Sequence, residues 1–320
     1  MIAEKKNLLI PLYIAGVIIV IYLIIYFMTH GRNNTTSSPS AIEQPNWFPK
    51  NYHYIVGVLL SLCVIVEIIL LAWPSKKTSN KKTSSGSIDP DVLKVYKSPF
   101  NKVRIGQNYD GGYIVVEIPN ISYTTLIAGG ISNDISFEEH FIDKYPDVQV
   151  FAFDGTIDQL PKENNKISFI KKNIGHENNE HLTNLHDIID VNERIFIKID
   201  IEGGEIPWIH SLSDDQLNKF EQIVMEFHHP YSEKEIDVFN KINKNHYLVH
   251  FHANNCCGVR NHRGIIIPNI FECTYLHKKY FQTVELNEEA IPGKLDMKNV
   301  IDHDEIYINY PPFVHPSSCV

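Results

Sequence analysis

Residues Lys198-Ile199-Asp200-Ile201-Glu202-Gly203-Gly204-Glu205 form a carboxylate-rich turn entered from an apolar run, Ile195-Phe196-Ile197. The apolar residues continue through Ile199 and Ile201, which predicts a short strand buried on both faces. Asp200 and Glu202 then stand at the strand's end, and Gly203-Gly204 let the backbone turn sharply. In an open parallel α/β sheet, ligands bind just outside the carboxyl ends of the strands. A buried strand that delivers two acids to that edge therefore predicts part of an active site. An ordinary strand-to-helix turn with a capping acid shares the pattern, so the surrounding sequence must arbitrate. Within the run, Asp200 is expected at the reacting centre, Glu202 as a brace of the turn, and Glu205 as a cap or solvated residue of the next helix.

On either side of this run, strand and helix signals alternate. Lys102 to Ile105 and Tyr113 to Ile118 flank Asp110-Gly111-Gly112 and predict an opening hairpin. Further strands are predicted at Thr124 to Ala128, Val148 to Phe153, Ile167 to Ile170, Ile195 to Ile201, Gln222 to Phe227, Tyr247 to His252 and Phe271 to Leu276. Helical spacing marks Phe137 to Lys144, His181 to Ile189 and Glu233 to Asn243. Such alternation predicts an α/β domain with a doubly wound, mostly parallel sheet.

Four other strand ends carry chemistry. The first reads Ile127-Ala128-Gly129-Gly130-Ile131-Ser132-Asn133-Asp134, where paired glycines allow a ligand to approach the backbone. Asp154 closes the next strand, 24 residues after Gly130, a position from which an acid can accept hydrogen bonds from ribose hydroxyls. The third glycine of a pyrophosphate loop is missing, and Asp134 would repel a pyrophosphate. A positively charged adenosyl ligand fits better. Glu226 and His228 fall on one face of their strand, and His250-Phe251-His252-Ala253-Asn254-Asn255 ends another. All of these are expected to meet Asp200 at one sheet edge.

With these residues assembled, the chain resembles the FkbM-type methyltransferases, a family that uses S-adenosylmethionine. The resemblance covers roughly Tyr96 to Leu276. It rests on Arg104-Ile105-Gly106 with Asp110-Gly111-Gly112-Tyr113, on Gly129 through Glu138, and on Phe153-Asp154-Gly155-Thr156. The Lys198 to Glu205 run, Glu226-Phe227-His228, His252-Ala253-Asn254-Asn255 and Pro268…Glu272-Cys273-Thr274 continue it. Gly204 stands where alanine is common in the family, and Gly155 where proline is frequent. The resemblance implies a class I, Rossmann-like methyltransferase fold: a seven-stranded, mostly parallel sheet with one antiparallel strand inserted near an edge. It implies that S-adenosylmethionine is held by Gly129, Gly130, Asp134, Asp154 and Asp200.

Methyl transfer from a sulfonium is an in-line displacement, so the enzyme's main task is positioning. A hydroxyl acceptor must also lose its proton, which needs a base or a metal ion near the methyl. Asp200, Glu226, His228 and His252 are the candidates for catalysis, and the same four offer oxygen and nitrogen ligands suited to a divalent ion. The expected activity is O-methylation of a hydroxyl on a small-molecule or glycan-like acceptor. A metal-dependent hydrolase using the same acids and histidines is an alternative, as is a catalytically inactive, membrane-tethered binding module. An NAD-dependent dehydrogenase lacks its pyrophosphate fingerprint here.

The first part of the chain is of another kind. Leu8 to Met28 and Tyr54 to Trp73 are apolar runs of roughly 20 residues, enough for a helix to cross a bilayer. Residues 1–73 are therefore expected to form a membrane region with spans at about 8–28 and 54–73. Lys5 and Lys6 precede the first span and Lys76, Lys77, Lys81 and Lys82 follow the second, whereas the loop between them offers Arg32 and Lys50. The positive-inside rule places both termini and the catalytic domain on the cytoplasmic side of a multi-pass membrane protein. Glu67 inside the second span is an intramembrane acid. Residues 74–88 read as a Lys/Ser/Thr-rich linker, and 89–320 as one domain.

From Asp89 onward the chain has 21 Lys and Arg against 35 Asp and Glu. A field of that sign repels phosphate backbones, so nucleic acid is not an expected partner. The five cysteines show no metal-ligand spacing, and the adjacency of Cys256 and Cys257 is poor geometry for a structural disulfide.

Overall fold

In strand β8 (Ile195–Ile199) every residue is buried. Ile195, Ile197 and Ile199 enter one apolar core and Phe196 enters another, the two-faced burial expected of a central parallel strand. The computed structural model describes residues 90–230, 233–262 and 264–316. The expected membrane spans and the linker lie outside the described residues. Among the described residues, no helix is long and apolar enough to cross a membrane.

The chain opens with the hairpin β1 (Lys102–Gly106) and β2 (Gly112–Val116). Then follow β3 (Thr125–Gly129), α1 (Ser136–Lys144), β4 (Gln149–Phe153) and β5 (Ile167–Ile170). Two short strands, β6 (Asn173–Ile174) and β7 (Leu182–Thr183), precede α2 (His186–Val191) and β8. After β8 come α3 (Glu205–Ser211), α4 (Asp214–Asn218), β9 (Phe220–His228), α5 (Glu233–Ile242) and β10 (His246–Ala253). The hairpin β11 (Val259–His262) and β12 (Ile265–Pro268) leads into β13 (Ile270–His277).

Seven strands form one sheet in the order β10-β13-β9-β8-β3-β4-β5. β13 runs antiparallel to both neighbours, while β9, β8, β3, β4 and β5 pair in parallel. The β1–β2 hairpin and α1 share a core with one face, through Tyr113, Val115, Phe137 and Phe141. Helices α3, α4 and α5 share a core with the other, through Trp208, Leu217 and Phe239. The fold is thus mixed α/β with a large, mostly parallel sheet.

Three expectations need correction. The helix predicted over His181 to Ile189 begins at His186, because Leu182–Thr183 pairs with Asn173–Ile174. Leu185 takes a left-handed φ of 64° there, and Asn179 accepts the His181 and Leu182 backbone N–H groups into a turn. The strand predicted to reach Ile201 stops at Ile199, where the Glu205 carboxylate takes the Ile201 N–H out of the ladder. Cys256 and Cys257 are joined as a disulfide, against expectation. The turn after β10, with the Cys256 N–H donated to Asn254 Oδ1, brings the neighbouring side chains together.

Candidate functional site

Glycine packing sets the geometry at the sheet's carboxyl edge. Gly130 has φ +73°, and a Cβ on it would lie 1.5 Å from the Asp200 carbonyl oxygen. The turn after β3 is pressed against the end of β8, and the Asp200 N–H donates to Gly129 O at 3.0 Å. One turn further on, Glu202 and Gly203 adopt left-handed φ values of 55° and 99°. This conformation swings Glu202 outward, where it is 85% exposed, and lets Glu205 fold back beneath the turn, 0% exposed. Glu205 Oε1 accepts from the Ile201 and Gly203 N–H groups at 3.1 and 3.2 Å. The two roles are therefore reversed from those expected: Glu205 braces the turn and Glu202 faces solvent.

Asp200, Glu226 and His228 come together, each offering a ligand atom within 4.8 Å of the others. Tyr113 Oη donates to Asp200 Oδ2 at 2.9 Å, and Asp200 Oδ1 has no hydrogen-bond partner. Asn254 Nδ2 donates to Glu226 Oε1 at 2.9 Å. His228 Nδ1 lies 3.1 Å from Glu205 Oε1, so the ring's other nitrogen points at the acids. Nε2 is 3.3 Å from Glu202, 3.7 Å from Glu226 and 3.9 Å from Asp200. A lone pair facing three carboxylates is unfavourable, so this point calls for a proton or a metal cation.

The electrostatics agree. Burial raises the Asp200 carboxyl above its ordinary range, against the pull of Lys198, Tyr113 and His228. Burial, then the charges of Asp200 and Glu272, hold Glu226 well above its ordinary value. For His228, burial works downward, but the Glu205 hydrogen bond and the surrounding carboxylates outweigh it and raise the imidazole.

His252 is not part of this group. It lies beside it on β10, 1% exposed, with Nδ1 3.4 Å from Glu272 and Nε2 3.5 Å from Glu305. Burial works to lower its pKa, but these two acids push it up to about 10. The structure thus sets His252 between two acids and outside the group of Asp200, Glu226 and His228 that it was expected to join. Glu305 belongs to the C-terminal segment, whose Val300 and His303 carbonyls are held by Asn255.

Of the remaining predicted residues, Gly130, Asp134 and Asp154 line a cleft of about 560 Å³ that also reaches Asp200 and Glu202. Asp154 Oδ2 accepts from the Ser132 N–H at 2.8 Å, and Oδ1 from the Thr156 N–H and hydroxyl at 2.7 and 2.5 Å. Burial works upward on this carboxyl, but the Thr156 and Ser132 donors prevail and lower it. With Oδ1 filled, Oδ2 retains capacity for one more donor. Asp134 accepts from the Ser136 N–H and hydroxyl, both at 2.9 Å, which ties it to the start of α1. Gly130 lines the cleft, whereas Gly129 packs behind it, where a Cβ would lie 2.4 Å from Ile174.

Three residues at the site were not singled out from their types: Tyr113, Glu138 and Lys198. Each lies within a motif of the family resemblance, but their roles depend on contacts between distant segments. A larger cavity of about 920 Å³ opens beside β10. Four of its charged groups pair with one another, His250 with Asp296 at 2.9 Å and Lys102 with Glu289 at 3.0 Å.

No protein-family model matches the chain. No curated protein matches it either. Among solved structures, the crystal structure of a fibrillarin/Nop5p complex is similar at 12% identity, over 48% of this chain and 71% of that chain, with a TM-score of 0.30. That likeness is too slight to carry an argument.

Proposed function

We propose that the chain is an S-adenosylmethionine-dependent methyltransferase of the FkbM type, which methylates a hydroxyl on a small-molecule or glycan-like acceptor. The observation that carries this reading is the character of the cleft. Asp110, Asp134, Glu138, Asp154, Asp200 and Glu202 line it, against a single cationic residue, Lys198. A cleft so acidic repels a dinucleotide pyrophosphate and suits an adenosyl ligand bearing positive charge. The strand order, with one reversed strand next to the edge strand, is the order expected of a class I methyltransferase and supports the same reading.

S-adenosylmethionine supplies an electrophilic methyl group on a sulfonium. In this reading Gly130 gives it backbone access, Asp154 accepts from a ribose hydroxyl, and Asp134 holds the start of α1 in place. Asp200 lies between the cleft and the Glu226–His228 pair, where cofactor and acceptor would meet. Asp200, Glu226 and the Nε2 of His228 would hold a divalent ion there, with Glu205 fixing the imidazole from behind. An ion held by these residues would supply Lewis-acid chemistry, favouring loss of the acceptor hydroxyl's proton.

The apolar runs at 8–28 and 54–73 anchor the catalytic domain to the cytoplasmic face of a membrane in this proposal. The test uses the full chain in detergent, titrated with S-adenosylmethionine and then offered labelled cofactor with a panel of hydroxylated acceptors. Binding with label transfer to a hydroxyl supports the proposal. Absence of binding, together with metal-dependent ester or phosphoester cleavage, would point to a hydrolase.

A further inference from the structure

Helix α1 buries Phe137, Glu138, Phe141 and Ile142. Three of these are the apolar residues such a face requires, and the fourth is an acid. Glu138 is 1% exposed, lines the cleft, and among the described residues neither carboxylate oxygen meets a hydrogen-bond partner. A buried carboxylate left this way is unfavourable for the protein alone.

The neighbouring groups do not relieve it. Lys198, the cationic residue of the cleft, has its Nζ on the Gly130 carbonyl at 3.2 Å and 5.0 Å above the Tyr113 ring. Its charge favours ionised Glu138, yet burial dominates and raises the carboxyl. The other buried acids of the cleft are engaged: Asp154 by Ser132 and Thr156, Asp200 by Tyr113. Glu138 is the cleft acid whose two oxygens are both buried and both free.

We infer that Glu138 is the charge-reading residue of the cleft: its carboxylate receives a positively charged group, ammonium or sulfonium, of the ligand bound between Gly130 and Asp154. The identity of that ligand rests on the methyltransferase reading. The inference explains why an acid occupies a position that the packing of α1 assigns to an apolar side chain. Nothing in the fold requires the charge, so it is kept for a partner that arrives with the ligand.

The test compares the full chain with its Glu138→Gln variant by calorimetry, using three ligands. S-adenosylmethionine carries both cationic groups, S-adenosylhomocysteine keeps the ammonium alone, and 5′-methylthioadenosine has neither. Glu138→Gln should weaken S-adenosylmethionine by about tenfold or more and change 5′-methylthioadenosine by less than about twofold. Equal weakening of S-adenosylhomocysteine assigns the contact to the ammonium, and unchanged S-adenosylhomocysteine assigns it to the sulfonium. Without ligand, the variant should melt at the same temperature as the parent or higher, because an unpaired buried charge has been removed.

The inference is overturned if the variant binds S-adenosylmethionine as well as the parent does, or if all three ligands weaken alike. It is also overturned if the unliganded variant melts lower or does not fold, since Glu138 would then be structural. A parent that binds none of the three removes the methyltransferase reading together with this one. A parent that binds them with the variant unchanged removes this one alone.

Discussion

Gly130 and Asp200 meet backbone to backbone: a methyl group added to Gly130 would lie 1.5 Å from the Asp200 carbonyl oxygen. This contact joins the acidic cleft to the cluster of acids and histidine, so the two halves of the proposed site cannot shift independently. Gly130→Ala should destabilise the domain by ~2–5 kcal/mol, from overpacking against backbone and a left-handed φ. Denaturant titration checks this, and a variant as stable as the parent would refute the contact.

Asp154 is both a structural tie and the proposed ribose acceptor. Asp154→Ala should weaken S-adenosylmethionine binding strongly, and should also reduce stability by about 1–3 kcal/mol, because the Ser132 and Thr156 donors lose their acceptor. Since the folded-state pKa is lowered, this contribution is present above the unfolded carboxyl pKa and is lost as pH falls through the folded value. Calorimetry with melting curves in acid separates the two roles. Unchanged cofactor affinity in Asp154→Ala would show that the ribose lies elsewhere.

Removal of divalent ions with EDTA, followed by dialysis, should abolish methyl transfer, and added Mg²⁺ or Mn²⁺ should restore it. His228→Ala should eliminate ion binding. Glu205→Gln, which alters the brace on Nδ1 and the acceptor shared by the Ile201 and Gly203 N–H groups, should lower metal affinity by roughly 10–100-fold. Activity that survives EDTA and dialysis would exclude the metal from the reaction.

His252 gives a pH signature of a different kind. Its folded pKa is raised to about 10 from 6.5, so its ion pairs with Glu272 and Glu305 stabilise the fold fully below 6.5. That contribution fades as pH rises through about 10. The melting temperature should decline across this window, and His252→Gln should flatten the decline while leaving divalent-ion affinity unchanged. A His252 variant that lost metal binding would return this residue to the ligand set.

Much of the architecture was legible because buried parallel strands write themselves as short apolar runs between glycines and acids. The run from Ile195 to Ile199 and the hairpin around Asp110-Gly111-Gly112 both appear where they were expected. The helix begins at His186, five residues later than expected, because the His181 and Leu182 N–H groups donate to the Asn179 side chain and compete locally with helix formation. Glu202 and Glu205 exchanged roles because backbone φ at Glu202 and Gly203, which residue type does not dictate, decides which acid points inward.

The succession of strands along the chain, the acids at their ends and the placing of Glu226 and His228 on one face follow from the amino-acid sequence alone, since side-chain direction in a strand is set by the period of two. Three-dimensional packing decided which of those residues meet. Strand β13 lies between β10 and β9, which sets His252 against Glu272, away from Asp200. The same packing brings Tyr113 to Asp200 across 87 residues of chain and leaves Glu138 buried without a partner. Pairing of charges depends on distance and solvent access, and both are properties of the folded chain.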